Sequence, residues 1–199
     1  MLVVADRQEL GRGRSGSAWQ NADRAVAMSL AFEPSWPRAD WVLIPLAAGV
    51  AASRATGASL KWPNDLLVDE SKVGGILVEV SSEGPVVVGL GLNLWWRDPP
   101  DGMTALFGND PGEAAAEEVA TAVARSLLAI TRNPPERWPR DEYLARCVTL
   151  GQAITWEPSG VGTAVGIADD GGLVVETESG REVIRSGAVR HIRPGSPRR

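Results

Sequence analysis

Only two of the chain's 20 basic residues are lysines, Lys61 and Lys72, and they stand eleven positions apart. An ammonium is a compact point charge with three rotatable donors, whereas a guanidinium is a broad planar fork. In a chain where arginine serves almost everywhere, the two lysines mark places where a small cation fits between ligand oxygens; the alternative is chance retention on a hairpin surface. Lys61 opens the run Lys61-Trp62-Pro63-Asn64-Asp65, which sets a charge, a bulky aromatic, a proline and two strongly hydrogen-bonding side chains at a strand end. Lys72 leads into Val73-Gly74-Gly75-Ile76-Leu77.

A second group of residues suited to anions is Gly11-Arg12-Gly13-Arg14-Ser15-Gly16. It fits the G-x-G-x-x-G pattern, and Glu33 lies 22 residues after Gly11, where a ribose-binding acid would stand. The dinucleotide reading fails on context, because that fingerprint opens a helix crossing over to the next parallel strand. Only Ser17 to Arg24, about eight residues, precede the next strand, and a crossover takes roughly ten to twelve. Glycines instead let backbone amides approach a ligand while Arg12 and Arg14 offer bidentate donors to phosphate or carboxylate. A flexible turn with solvated arginines is the alternative. No G-x-x-x-x-G-K-[ST] occurs, so a P-loop is excluded.

The rare residues exclude other chemistry. The one His is His191 and the one Cys is Cys147, so neither a Ser-His-Asp triad, a Cys-His pair nor a His/Cys zinc site has the residues it needs, and no metal site is expected. No internal disulfide can form, which fits a reducing cytoplasm. The longest apolar stretch, Trp41 to Ala52, is 12 residues with Pro45 inside, too short to span a bilayer. The N-terminus shows no basic region followed by an apolar stretch, so no secretory signal is expected. With net charge −5 and pI near 5.0, sequence-independent nucleic-acid binding is not expected either.

The 199 residues, 44% apolar and 23% charged, suffice for one or two domains with a real core. Strands are predicted at 2–5, 25–32, 60–62, 66–68, 75–80 and 86–93, with the 66–80 pair a hairpin around the polar tip 69–72. The spacing of Leu43, Leu46, Ala47 and Val50 predicts a helix over 42–56, stopped by Gly57. A second helix is predicted from Asp110-Pro111, Asp110 as N-cap, to about Thr131, with Val119, Val123, Leu127 and Ile130 on one face. A short helix follows near 141–147. After Leu150 the texture changes to short strands at 153–156, 162–167, 173–177, 182–185 and 189–192, which predict a small closed barrel. The domain limits expected are 1–148 and 149–194, with 195–199 a tail.

Four ordered motifs then carry a resemblance: Gly-Arg-Gly-Arg-x-Gly-x-x-Trp at 11–19, Lys-Trp-Pro-Asn-Asp at 61–65, Lys-Val-Gly-Gly-Ile-Leu-Val-Glu at 72–79 and Gly-Leu-Gly-Leu-Asn at 89–93. Together they resemble the biotin protein ligases, from residue 1 to about 193. The resemblance implies an α+β fold: a mixed-sheet catalytic domain related to class II aminoacyl-tRNA synthetases, followed by an SH3-like β-barrel. It implies two steps. Biotin and ATP give biotinyl-5′-AMP and pyrophosphate, and a lysine of a biotin carboxyl-carrier protein then attacks the mixed anhydride. Carried over by position, Gln8, Arg12, Gly13, Arg14, Lys72 and Gly75 would bind biotin, with Lys72 at its carboxylate. Trp19 would stack near adenine, and Lys61, Asn64, Asp65 and Asn93 would serve the nucleotide. Lys72 and Arg14 would be catalytic, Mg2+ would arrive with ATP, and loop 11–19 would cover the intermediate. The runner-up is a lipoate or octanoate ligase or transferase of the same fold, and a non-catalytic biotin or nucleotide binder is the third reading.

The pattern departs from the family in three places. The upstream Ser-Thr-Asn segment that helps hold the biotin ring does not precede the first strand, Ser15 and Ser17 stand where arginine is common, and Glu9 replaces a small or hydroxyl residue. No N-terminal helix-turn-helix is present, so a DNA-binding repressor role is not expected; a homodimer is left open.

Overall fold

The computed structural model describes residues 1–5, 7–11, 13, 19–80, 84–187 and 189–192. Six strands, β1 (Leu2–Ala5), β2 (Arg24–Phe32), β3 (Ser59–Lys61), β4 (Asp65–Val68), β5 (Ser71–Val80) and β6 (Val86–Trp95), form one sheet in the order β1-β2-β6-β5-β4-β3. Every pairing between these strands is antiparallel, which corrects the expected mixed sheet. The reason lies in the connections. Strands β3 to β6 follow one another through short turns, and the one long crossover, through α1 (Ile44–Thr56), sends the chain from β2 to the far edge at β3.

One face of this sheet carries the core. Val26, Met28 and Leu30 of β2 alternate with smaller residues and meet Val88, Leu90 and Leu92 of β6 and Ile76 of β5, all buried. Helices α1 and α2 (Ala114–Arg132) pack on this face and on each other. Alanine-rich α1 is buried on nearly all sides, as suits a helix held between sheet and helices. It starts two residues after the predicted Val42, because Arg38–Leu43 forms a 3-10 turn, and Gly57 ends it at φ +75°. Helix α2 buries Ala120, Val123, Ala124, Leu127 and Ile130 on one stripe.

The predicted N-cap of α2 is corrected. The helix begins at Ala114 after Glu113. Asp110 is committed elsewhere, accepting from Arg24 Nε at 2.6 Å, Arg24 Nη2 at 2.9 Å and the Gly112 amide at 3.0 Å. The predicted hairpin tip is also narrower: the turn is Asp69-Glu70, Asp69 taking φ +52°, and Lys72 lies on β5 instead of in the loop.

Helix α3 (Arg140–Arg146) packs on α1 and β3 and leads into a second sheet. Its strands β7 (Ala153–Trp156), β8 (Gly160–Ile167), β9 (Leu173–Thr177), β10 (Gly180–Ile184) and β11 (Val189–His191) are antiparallel in the order β10-β9-β8-β7-β11. Trp62, which follows β3 and is 3% exposed, ties the first sheet to the segments leading into the second. Its backbone amide donates to Thr149 Oγ1 and its indole Nε1 to the Gly171 carbonyl, each at 3.0 Å.

Candidate active site

The face of the first sheet away from α1 and α2 is a trough, because small residues line up across it. Residues directly opposite on neighbouring strands share a face. The registers Lys61↔Asp65, Asp65↔Gly75, Gly75↔Gly91, Gly91↔Ala27 and Ala27↔Ala5 therefore run as one row across all six strands. Both charged residues stand at one end, and only hydrogen atoms or methyl groups occupy the rest. The adjacent row is Leu77, Gly89, Ser29 and Val3. The cleft above these rows measures about 570 Å³, within the range of small-molecule sites.

Lys72 Nζ donates to Asp65 Oδ1 at 2.6 Å. Simple alternation would put Lys72 and Gly75, three positions apart, on opposite faces of β5. The register between β4 and β5 shifts instead: Leu66 faces Gly74 but Leu67 faces Lys72, leaving Val73 as an extra bulged residue. That bulge turns Lys72 onto the trough side, where a β-carbon added at Gly75 would lie 3.6 Å from both its Cε and Nζ. Lys61, which also lines the cleft, makes no ion pair among the described residues.

Trp19 roofs the middle of the trough. Its amide donates to the Gly11 carbonyl at 3.0 Å, closing the base of the loop. Its indole ring lies so near Gly91 that a β-carbon there would sit 2.8 Å from Cζ2. The indole Nε1 is buried without a partner among the described residues. Gln8 is fixed through its backbone, its carbonyl accepting from Asn21 Nδ2 at 2.7 Å, and its side chain lines the cleft.

The two asparagines face inward. Asn64 extends the β4–β5 ladder: its carbonyl accepts from the Ile76 amide and its Nδ2 donates to the Ile76 carbonyl, both at 2.9 Å. Asn93, 2% exposed, donates Nδ2 to the Thr104 carbonyl at 3.0 Å, while its Oδ1 is buried with no partner among the described residues.

Residues 1–93 match the model described as the biotin/lipoate A/B protein ligase family, and residues 149–191 match the biotin protein ligase C terminal domain. A biotin--[acetyl-CoA-carboxylase] ligase of Paracoccus denitrificans is 31% identical over 214 aligned positions, covering 94% of this chain and 88% of its own. The chain belongs to the biotin protein ligase family. A biotin--[acetyl-CoA-carboxylase] ligase of Mycobacterium tuberculosis is 32% identical, with 97% and 79% covered. The biotin protein ligase of Aquifex aeolicus, solved in complex with biotin and ATP, is similar in structure: TM-score 0.82 and 28% identity, over 96% of this chain and 89% of that one.

For this biotin protein ligase family member, the trough gathers Gln8, Gly13, Trp19, Lys61, Asn64, Asp65, Lys72, Gly75 and Asn93, all carried over from the resemblance. Arg12 and Arg14, and with them Ser15, Ser17 and most of loop 11–19, lie outside the described residues. Sequence reasoning missed Ser29, Leu77 and Met103 on the trough wall, and Gly187 and Val189, which bring the second sheet to its rim. Period-two alternation of β2 and β5 could have found Ser29 and Leu77; nothing local points to the others.

Proposed function

We propose that the chain activates biotin with ATP and transfers it to a lysine of a biotin carboxyl-carrier protein. In the first step a biotin carboxylate oxygen bonds to the α-phosphorus, and the bond to the pyrophosphate oxygen breaks, giving biotinyl-5′-AMP. In the second, the carrier amine bonds to the acyl carbon, AMP leaves with the bridging oxygen, and the amine loses a proton. Both anions of the first step repel each other, so catalysis is positioning and cationic stabilisation. The observation that carries this reading is the placement of Lys72 and Lys61 on either side of Asp65 at the charged end of an otherwise side-chain-poor trough. The apolar rows suit a ring and its aliphatic chain, and the lysines suit the carboxylate and phosphates that must meet.

In this reading Lys72 and Arg14 are catalytic, Gln8, Arg12, Gly13 and Gly75 join them around biotin, and Trp19, Lys61, Asn64, Asp65 and Asn93 serve ATP. Mg2+ enters with the nucleotide's phosphates as part of the substrate, and Asp65 and Glu79 are the carboxylates lining the cleft. Residues 1–148 form the catalytic domain, related to class II synthetases, and 149–194 an SH3-like barrel; the antiparallel ladder from β10 to β11 supports the latter.

Biotin-dependent pyrophosphate exchange tests the assignment with Lys72→Ala and Lys72→Arg. Both variants are expected to lose exchange, the arginine because its broad planar fork does not fit where a compact ammonium sits between ligand oxygens. Near-normal exchange in both would overturn the role of Lys72, and calorimetric binding of lipoate in preference to biotin would overturn the substrate.

A further inference from the structure

The geometry points to residues 102–104 as a strap that positions the Lys72 ammonium, with Asn93 as its anchor. The inference rests on the reading of Lys72 as the group that meets the substrate carboxylate. The bulge at Val73 that aims Lys72 into the trough also interrupts the β4–β5 ladder there, so this neighbour alone holds the start of β5 loosely. On the other side β6 pairs with β5 only from Gly74 onward. The gap is filled by a segment that returns after β6 and lies parallel to β5, Met103 opposite Lys72. Both backbone groups of Lys72 are taken: its amide donates to the Gly102 carbonyl at 2.8 Å and its carbonyl accepts from the Thr104 amide at 2.9 Å.

The strap is itself tied to the end of β6. Asn93 Nδ2 donates to the Thr104 carbonyl, and the Leu106 amide donates to the Asn93 carbonyl, each at 3.0 Å. Asn93 thus acts on Lys72 through the strap as a positioning residue, whatever its Oδ1 meets in the cleft. With its backbone clamped, Lys72 swings only about its stem, and Gly75 leaves that stem room while Asp65 receives its end.

Gly102 offers a clean perturbation. It holds φ +76° and nothing lies within 4 Å of an added β-carbon, so Gly102→Ala strains the strap's backbone without a clash. Gly112, at φ +89° with equally open surroundings, is the matched control away from the cleft. Because Lys61 and Lys72 are the only lysines in the chain, trace acetylation with acetic anhydride, quantified by mass spectrometry, reports Lys72 against an internal reference.

The full chain without ligands is expected to show the Lys72:Lys61 labelling ratio rising about threefold in Gly102→Ala and staying unchanged in Gly112→Ala. The kcat of biotin adenylation is expected to fall about tenfold in Gly102→Ala, with KM for ATP and biotin moving less than about twofold. An unchanged ratio and kcat in Gly102→Ala, or equal changes in Gly112→Ala, overturn the strap. Should Gly102→Ala fail to fold, Asn93→Asp keeps the side-chain shape but removes the donor to Thr104, and an unchanged labelling ratio there overturns it equally. Labelling needs no substrate, so the strap can fail while the ligase assignment stands, and the Lys72→Ala exchange assay can fail while the strap stands.

Discussion

Gly91→Ala is expected to destabilise the fold where chemically identical changes two and sixteen residues earlier in the chain do not. The added methyl carbon would lie 2.8 Å from Trp19 Cζ2 and 2.9 Å from Cε2 and Cη2. Carbon–carbon contacts relax near about 3.5–4.0 Å, so the indole must retreat by roughly 0.6–1.2 Å. Overpacking of that kind costs about 1–3 kcal/mol, and for a chain of this size each kcal/mol lowers Tm by roughly 2–4 °C. A fall of about 2–12 °C is the expected result in differential scanning fluorimetry. Since Trp19 roofs the trough, a shift near 1 Å should also weaken productive ATP binding, up to roughly 100-fold in kcat/KM. At Gly89 an added carbon meets its neighbours at 3.6–3.9 Å, and at Gly75 at 3.6–3.8 Å, ordinary contact distances. Gly89→Ala is therefore neutral or stabilising by about 0.4–1 kcal/mol through the unfolded chain. Gly75→Ala folds normally but loses activity, because its methyl occupies the space beside Lys72. Wild-type Tm and wild-type KM for ATP in Gly91→Ala would refute the reasoning about the Trp19 seat.

Three further outcomes follow from particular contacts. Asp65→Asn leaves the Lys72 ammonium without its charged acceptor; adenylation measured by pyrophosphate exchange is expected to fall about tenfold, as for one charge-assisted hydrogen bond at a partly exposed site. Trp62→Phe leaves the buried Gly171 carbonyl without its donor, and the urea midpoint should fall by an amount equivalent to about 1–3 kcal/mol. Asp110 is held down to about 2 by the hydrogen bond from Arg24 and then by the Gly112 amide. Its contribution to stability is present above the ordinary value of 3.8 and lost as pH falls through about 2, so the Tm difference between wild type and Asp110→Asn should be constant above about pH 5 and shrink away as pH falls through about 2.

The charged end of the site was legible because lysine is rare in this chain and because Lys61, Asp65, Lys72 and Gly75 sit in short motifs. Their mutual placement was not. Alternation alone would have split Lys72 from Gly75, and the bulge that reunites them leaves no mark in composition. The strap escaped for a similar reason: Lys72 and Met103 meet across 31 positions of chain through backbone hydrogen bonds that any residue can make. The helix start at Asp110 was misread because a good N-cap residue found a stronger partner 86 positions away in Arg24. Strand positions in the second sheet were readable from turn residues, whereas its approach to the cleft through Gly187 and Val189 depends on tertiary docking alone.

Trp62 has a bearing on how the molecule opens. Its indole sits in the cleft wall, beside Lys61 on β3 and Asn64 before β4, and donates to the turn before β9, while its backbone amide donates to Thr149 ahead of β7. Pulling the second sheet away exposes that indole and frees the Trp62 amide, so the opening reaches the strand end that carries Lys61. The amides of β9 and of β3 are thus expected to exchange as one cooperative unit in hydrogen exchange, released together instead of in succession.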